Sequence, residues 1–115
     1  DNRRLIRFAR TRRHMICEFT VSPMGSSVSL SAQIATIIDR IDRSGLPYQT
    51  HAMGTIVEGS WDDIMALIRQ CHELILENNE RVTTSIRIDD RKGCSGRLQG
   101  KIDSVEHRLG RKIRR

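Results

Sequence analysis

The sequence predicts an α+β fold, a four-stranded antiparallel sheet with two helices on one face and an added C-terminal helix. Three observations predict it. Two runs, "MICEFTV" at 15–21 and "RVTTSIRID" at 81–89, alternate apolar and polar residues with the period of a half-buried strand. Two segments between them carry apolar stripes at helical spacing. The stretch 46–59 separates those helices with two short strand-like runs whose link, "AMG", is too tight for a crossover.

In the first strand Met15, Cys17, Phe19 and Val21 point one way, while Ile16, Glu18 and Thr20 point the other. Ser22-Pro23 is expected to end it, because proline cannot donate to a ladder. The turn "GSSVS" offers several N-caps to a helix whose stripe is Leu30, Ile34, Ile37, Ile38 and Ile41. Gly45 stands where a helix stop places its left-handed residue. Strands at about 47–52 and 54–58 then form a hairpin, or a bent ribbon bulged at Gly54. The phase of that bulge leaves open which of Thr55, Ile56 and Glu58 look inward. Ser60 caps a second helix, with Asp62 and Asp63 in its positive first turn. Its stripe is Ile64, Leu67, Ile68, Cys71 and Ile75. Trp61 and Tyr48 read as packing residues.

The fourth strand turns Val82, Thr84, Ile86 and Ile88 to one side, and Thr83, Ser85, Arg87 and Asp89 to the other. A loop, "DRKGCSG", leads to a last helix at about 97–112. Leu98, Ile102, Val105 and Leu109 are spaced 4-3-4, a narrow heptad seam flanked by Lys101, Arg108, Arg111 and Lys112. Gly100 weakens this helix by roughly 1 kcal/mol relative to alanine, so it is expected to pack on its own domain or on another subunit. Two split β-α-β units with right-handed crossovers make the ferredoxin-like arrangement, with strand order 4-1-3-2. Glu18, Thr20, Ser22, Thr83, Ser85, Arg87 and Asp89 then gather on the face the first two helices leave bare. A solvated surface, an oligomer interface and a ligand site each account for that polarity.

At 115 residues the chain holds one core, in a domain spanning 15–115. Residues 1–14, "DNRRLIRFARTRRH", form a basic arm that carries six arginines and one aspartate, and so five of the six net positive charges. Polyanion binding, nucleic acid included, is therefore expected only through the arm, as an extension or tail of the fold. No apolar run approaches the roughly 20 residues of a membrane span, and the basic start lacks the apolar stretch of a signal peptide. Three cysteines without C-x-x-C spacing point to free thiols and the cytoplasm.

Other chemistries find little support. Cys71 and His72 are adjacent on a helix and diverge by about 100°, and no second pair has metal-ligand spacing. Cys17 and Cys71 fall on core-facing stripes, which leaves Cys94, beside Arg91 and Lys92, as the one candidate reactive thiol. No phosphate loop or dinucleotide fingerprint is present. RNA-binding sheets of this architecture stack bases on aromatics, yet aromatics are 3% of this chain and Phe19 faces the helices.

Three stretches, "ICEFTVSPMG", "GLPYQTHAMGTIVEGSWDDIM" and "RVTTSIRIDDR", closely resemble the thiamine-binding protein family of small, long uncharacterised proteins. The family strings S-P-M-G, H-x-M-G-T-x-x-E-G and T-x-I-x-I-D-D-R occur in order, and the likeness runs from about Met15 to Lys112. The resemblance implies a ferredoxin-like fold assembled into homodimers and commonly homotetramers. It also implies non-enzymatic binding of thiamine or its hydroxymethylpyrimidine part, with no cofactor. Under that implication Glu18, Glu58 or Asp89 would offset the cationic thiazolium. Ser22, Thr55 and Thr84 or Ser85 would bond the pyrimidine edge, and His51 or Met53 would line the ring. The candidate ligand set is Glu18, Ser22, His51, Met53, Thr55, Glu58 and Thr84, although Thr84 alternates toward the helices. The competing expectation is a structural or regulatory interaction protein that binds polyanions through its arginine arm.

Overall fold

The computed structural model describes residues 14–25, 29–93 and 96–115. The arginine arm up to residue 13 and Cys94 lie outside these, and with them the readings of a polyanion-binding arm and of a reactive thiol. The chain forms β1 (Met15–Met24), α1 (Leu30–Arg43), β2 (Tyr48–His51), β3 (Gly54–Gly59), α2 (Trp61–Leu76), β4 (Arg81–Asp89) and α3 (Arg97–Leu109). The sheet order is β2-β3-β1-β4 with every neighbour antiparallel, the ferredoxin-like topology expected from the pattern.

The core grows from β1. Its Met15, Cys17, Phe19 and Val21, with Val57 of β3, meet Ile37 and Ile41 of α1 and Ile64, Leu67, Ile68, Cys71 and Ile75 of α2. Each fully buried aliphatic side chain of this kind contributes roughly 1.5–3 kcal/mol. Ser60 caps α2 by accepting from the Asp63 N–H at 3.2 Å, while Asp62 and Asp63 face the positive end of the helix dipole. Beyond α2, the Asn79 side-chain amide donates to Gln33 Oε1 at 2.6 Å and ties the end of that helix to α1. Trp61 departs from its expected packing role and is 56% exposed.

β1 runs three residues past the expected stop, pairing Ser22, Pro23 and Met24 with Thr83, Val82 and Arg81. The reason lies in the hydrogen-bond phase. Glu58 donates its N–H to Pro47 O on the β2 side at 2.9 Å, so Thr55 and Val57 turn theirs to β1. The odd-numbered residues of β1 therefore face β3, and the even-numbered ones bond β4. Pro23 points its nitrogen beyond the last β3 pair, Phe19↔Thr55, so no ladder bond is lost. The same phase answers the question left by the hairpin, since Thr55 and Val57 face the helices while Ile56 and Glu58 face away. Gly54, at φ +154°, is required where the hairpin meets β1. A Cβ there would stand 2.7 Å from Thr20 Cγ2 and 3.2 Å from Phe19 O.

The face opposite α1 and α2 is not wholly bare. α3 covers one end of it, held by Glu58, whose carboxylate accepts from the Gly96 N–H and, at 3.0 Å, from the Leu98 N–H. Lys101 adds an ion pair to Asp89. Leu98 and Ile102 are half-buried there, whereas Val105 and Leu109 at the far end of the seam are exposed. Gly110, in the left-handed region, turns the chain back, and buried Glu106 accepts from the Ile113 N–H at 2.9 Å and from Arg115 at 2.6 Å. These bonds, with the nearby Lys112 charge, hold the Glu106 carboxyl down at about 2 against an ordinary 4.5.

Two outcomes follow from α3. Its depressed folded pKa means that Glu106 contributes stability present above the ordinary value of 4.5 and lost as pH falls through about 2. A carboxyl titration by NMR is expected to place Glu106 near 2, and an ordinary value would show that the turn-back is open in solution. Glu58→Ala leaves two helix-terminal N–H groups without their acceptor and is expected to lower stability in urea by about 1–3 kcal/mol.

Candidate functional site

The helices do not close fully over the sheet. Between the first half of α1, the second half of β1 and the β2–β3 hairpin lies a cavity of about 250 Å³. Phe19 and Val21 floor it, because odd residues of β1 face the helices. Leu30 and Ile34, the first two residues of the α1 stripe, wall it from above. They are 57% and 44% exposed, since the hairpin stops short of them. The apolar surface is interrupted by two threonines facing each other across the β2–β3 ladder. Thr50 Oγ1 and Thr55 Oγ1 lie 3.2 Å apart, and Thr55 is buried. Ser22 and Met53 stand at the rim, with Met53 81% exposed.

His51 lies where the cavity meets the other face of the sheet. Its Nδ1 accepts from the Met53 N–H at 3.2 Å, which leaves the ring proton of the neutral imidazole on Nε2. That nitrogen is 3.4 Å from Glu18 Oε2. Arg87 lies 3.9 Å from the other Glu18 oxygen, so the carboxylate sits between one cation and one imidazole. On the far face Glu18 also borders a second hollow of about 250 Å³, with Ile16, Ile56, Arg87, Asp89 and Lys101. There the charges pair with each other, Lys101 with Asp89 and Arg87 with Glu18.

Of the seven residues singled out from the sequence, the structure brings Ser22, His51, Met53 and Thr55 together around the first cavity. Glu18 is on the opposite side of the sheet and reaches the cavity only through His51. Glu58 lies beyond, at the α3 end of β3, 5% exposed and occupied by helix N–H groups. Thr84 is on the helix side, as its alternation implied, and its hydroxyl is 2.6 Å from His72 Nδ1 of α2. Thr50, Leu30 and Ile34 were not foreseen as lining. The α1 stripe looked like core throughout, and only the short reach of the hairpin exposes its first turn.

The two described cysteines are set apart from this chemistry. Burial pushes both the Cys17 and Cys71 thiols up to about 11, away from the thiolate a nucleophile or metal ligand needs. Among the described residues no group of three His, Cys, Asp or Glu side chains is placed to hold a metal ion. Nor is any helix there long and apolar enough to cross a membrane.

With this geometry in view, known proteins show the same architecture and much of the same sequence. A UPF0045 protein of Eremothecium gossypii is 37% identical over 98 residues, which cover 84% of this chain and 93% of that protein. The UPF0045 protein YqgV of Bacillus subtilis is 36% identical over 100 residues, covering 82% and 96%. Among solved structures, a hypothetical protein of Methanocaldococcus jannaschii superposes with a TM-score of 0.74 at 29% identity, covering 82% of this chain and 97% of that one. A Thermotoga maritima protein, provisionally named for thiamine biosynthesis or salvage, shares the fold with a TM-score of 0.70 at 21% identity, covering 80% and 98%. The model of the family described as "Thiamine-binding protein" matches residues 17–106, a span that contains every residue lining the cavity, from β1, α1 and the β2–β3 hairpin, and the chain belongs to that family.

Proposed function

We propose that the cavity between α1 and the β2–β3 hairpin binds the pyrimidine ring of thiamine, or free hydroxymethylpyrimidine, without catalysis. In this reading the protein is a cytoplasmic carrier or sensor that works as a homodimer or homotetramer. One observation carries the proposal: the Thr50–Thr55 hydroxyl pair is set into an otherwise apolar, helix-covered pocket. Two adjacent hydroxyls, each both donor and acceptor, suit the neighbouring donor and acceptor of an aminopyrimidine. Phe19, Val21, Leu30 and Ile34 suit the ring faces. At about 250 Å³ the space is smaller than the roughly 300–1,000 Å³ of sites for drug-sized ligands. It therefore fits one ring, with the thiazolium of thiamine left at the mouth near His51 and Glu18.

His51 is the residue that bears on the lack of catalysis. Both its ring nitrogens are engaged, one by the Met53 N–H and one facing Glu18, so neither is directed at the Ser22 hydroxyl to activate it. A cytoplasmic setting accords with Cys17 and Cys71 as free thiols.

Calorimetry with thiamine and with hydroxymethylpyrimidine tests the reading. Both are expected to release or absorb heat, and ligand at about 100 times its Kd is expected to stabilise the fold by roughly 2.7 kcal/mol. No heat and no thermal shift at millimolar ligand would sink the proposal. Thr55→Val, which keeps the shape and removes the hydroxyl, is expected to weaken both ligands about tenfold, or roughly 1.4 kcal/mol. Glu18→Gln separates the two parts of the vitamin. It is expected to weaken cationic thiamine while leaving the neutral pyrimidine unchanged, and equal losses would place Glu18 in a structural role.

A further inference from the structure

The near balance of charge outside the arginine arm conceals a segregation. Residues 15–96 hold seven Lys or Arg against eleven Asp or Glu, a net of four negative charges. Residues 97–115 hold seven against two, a net of five positive ones. The body of the fold is thus acidic and its α3 end basic. Five of the cations fall in "RLGRKIRR" at 108–115, with no acidic residue among them. Runs of this density suit polyanions.

Two ordinary causes account for part of the cluster. The negative end of the helix dipole draws cations to the last turn of α3, which holds His107 and Arg108. Glu106 engages Arg115 at 2.6 Å and Lys112 at 3.6 Å, and Asp103 engages Arg115 at 2.6 Å. Neither cause reaches Arg111 and Arg114, which lie beyond the Gly110 cap. Arg108, Arg111 and Arg114 are exposed and make no ion pair among the described residues. The Lys112 side chain, though paired, is 88% exposed. The Gly110 turn and the bonds from the Ile113 N–H and Arg115 to Glu106 hold this stretch against the helix. A partner therefore meets these cations with part of their ordering already in place.

Their position on α3 selects the partner. At 3.6 residues per turn, His107 stands about 170° round the helix from the seam of Leu98, Ile102, Val105 and Leu109. An open hollow lined by Asp103, Ser104, His107 and Arg108 lies on that outer side. A second hollow shares Asp103 and His107 and adds Arg111 and Lys112. A lipid surface draws on cations and a broad apolar face presented together, whereas Val105 and Leu109 lie on the seam side, away from these hollows. Single strands stack their bases on aromatics, and residues 97–115 include no Phe, Tyr or Trp. A polar, cationic surface without a stacking platform suits the phosphates of a duplex.

We infer that the outer face of α3 and the turn after it bind the phosphates of double-stranded nucleic acid, without reading its sequence, through Arg108, Arg111, Lys112 and Arg114. The acidic body repels the same duplex and steers it to this end of the molecule. The inference does not rest on what the cavity binds, and its readout is separate from ligand heat.

Fluorescence anisotropy with a labelled DNA duplex of about 20 base pairs tests it. The background is the full chain with the six arginines of residues 1–14 changed to glutamine. Duplex binding is expected to persist there and to weaken roughly 100-fold between about 50 and 200 mM salt, as four phosphate contacts require. Adding Arg108→Gln, Arg111→Gln and Arg114→Gln is expected to lower the slope of log affinity against log salt by about 2.7. Arg40→Gln, Arg43→Gln and Arg69→Gln remove the same charge from exposed sites on α1 and α2, and are expected to leave the slope unchanged. Circular dichroism verifies that both variants are folded. An arm-substituted chain that no longer binds duplex would overturn the inference, as would equal losses from the two triple substitutions. A chain that sediments with phosphatidylserine vesicles but ignores duplex would also overturn it and assign the patch to a lipid surface.

Discussion

Met15, Cys17, Phe19 and Val21 are pressed between the sheet and two helices, while the residues between them face the other way. That period-two division along β1, which lies between β3 and β4, separates the molecule into an apolar half and a polar half. β1 sets the register of both its neighbours, so Val57 and Thr55 of β3 and Thr84 of β4 inherit the helix side. Glu18, Arg87, Ile56 and Gln49 inherit the other. Shifting the alternation by one residue would move Glu18 into the core and Phe19 into water, which burial makes prohibitive.

The cavity is a consequence of where that apolar half runs out. α1 begins at Leu30, ahead of the point where the hairpin ends, and Gly54 folds the hairpin tightly against Thr20. The first turn of α1 thus overhangs Phe19 and Val21, and the cavity lies between them. Within this space β2 and β3 set two hydroxyls, those of Thr50 and Thr55, on side chains of a size the core tolerates. His51 stands at the boundary and links the cavity mouth to the Glu18 carboxylate on the opposite face.

The polar half follows a different logic. The Glu58 carboxylate is consumed in holding the first turn of α3, a helix that Gly100 weakens from within. Asp89 is drawn into the same contact by Lys101. α3 therefore shelters one end of the open face.

Much of this was legible in the residues alone. Apolar spacing set the elements, the buried stripe of α2 and the strand order, because burial of alternate or every third and fourth residue has few other geometric solutions. The motif strings pointed to the family. Side-chain assignment within the candidate site was less accessible. Ser22, His51, Met53 and Thr55 converge, but Thr50 became visible only through its pairing with Thr55, and Leu30 and Ile34 only through the gap above Phe19. Glu58 and Thr84 were drawn to α3 and to His72, partners distant in the chain whose approach no local pattern encodes. Local periodicity decides which face a residue takes. Which neighbour it meets there depends on how far each element extends and where the helices stop, and tertiary packing alone determines that.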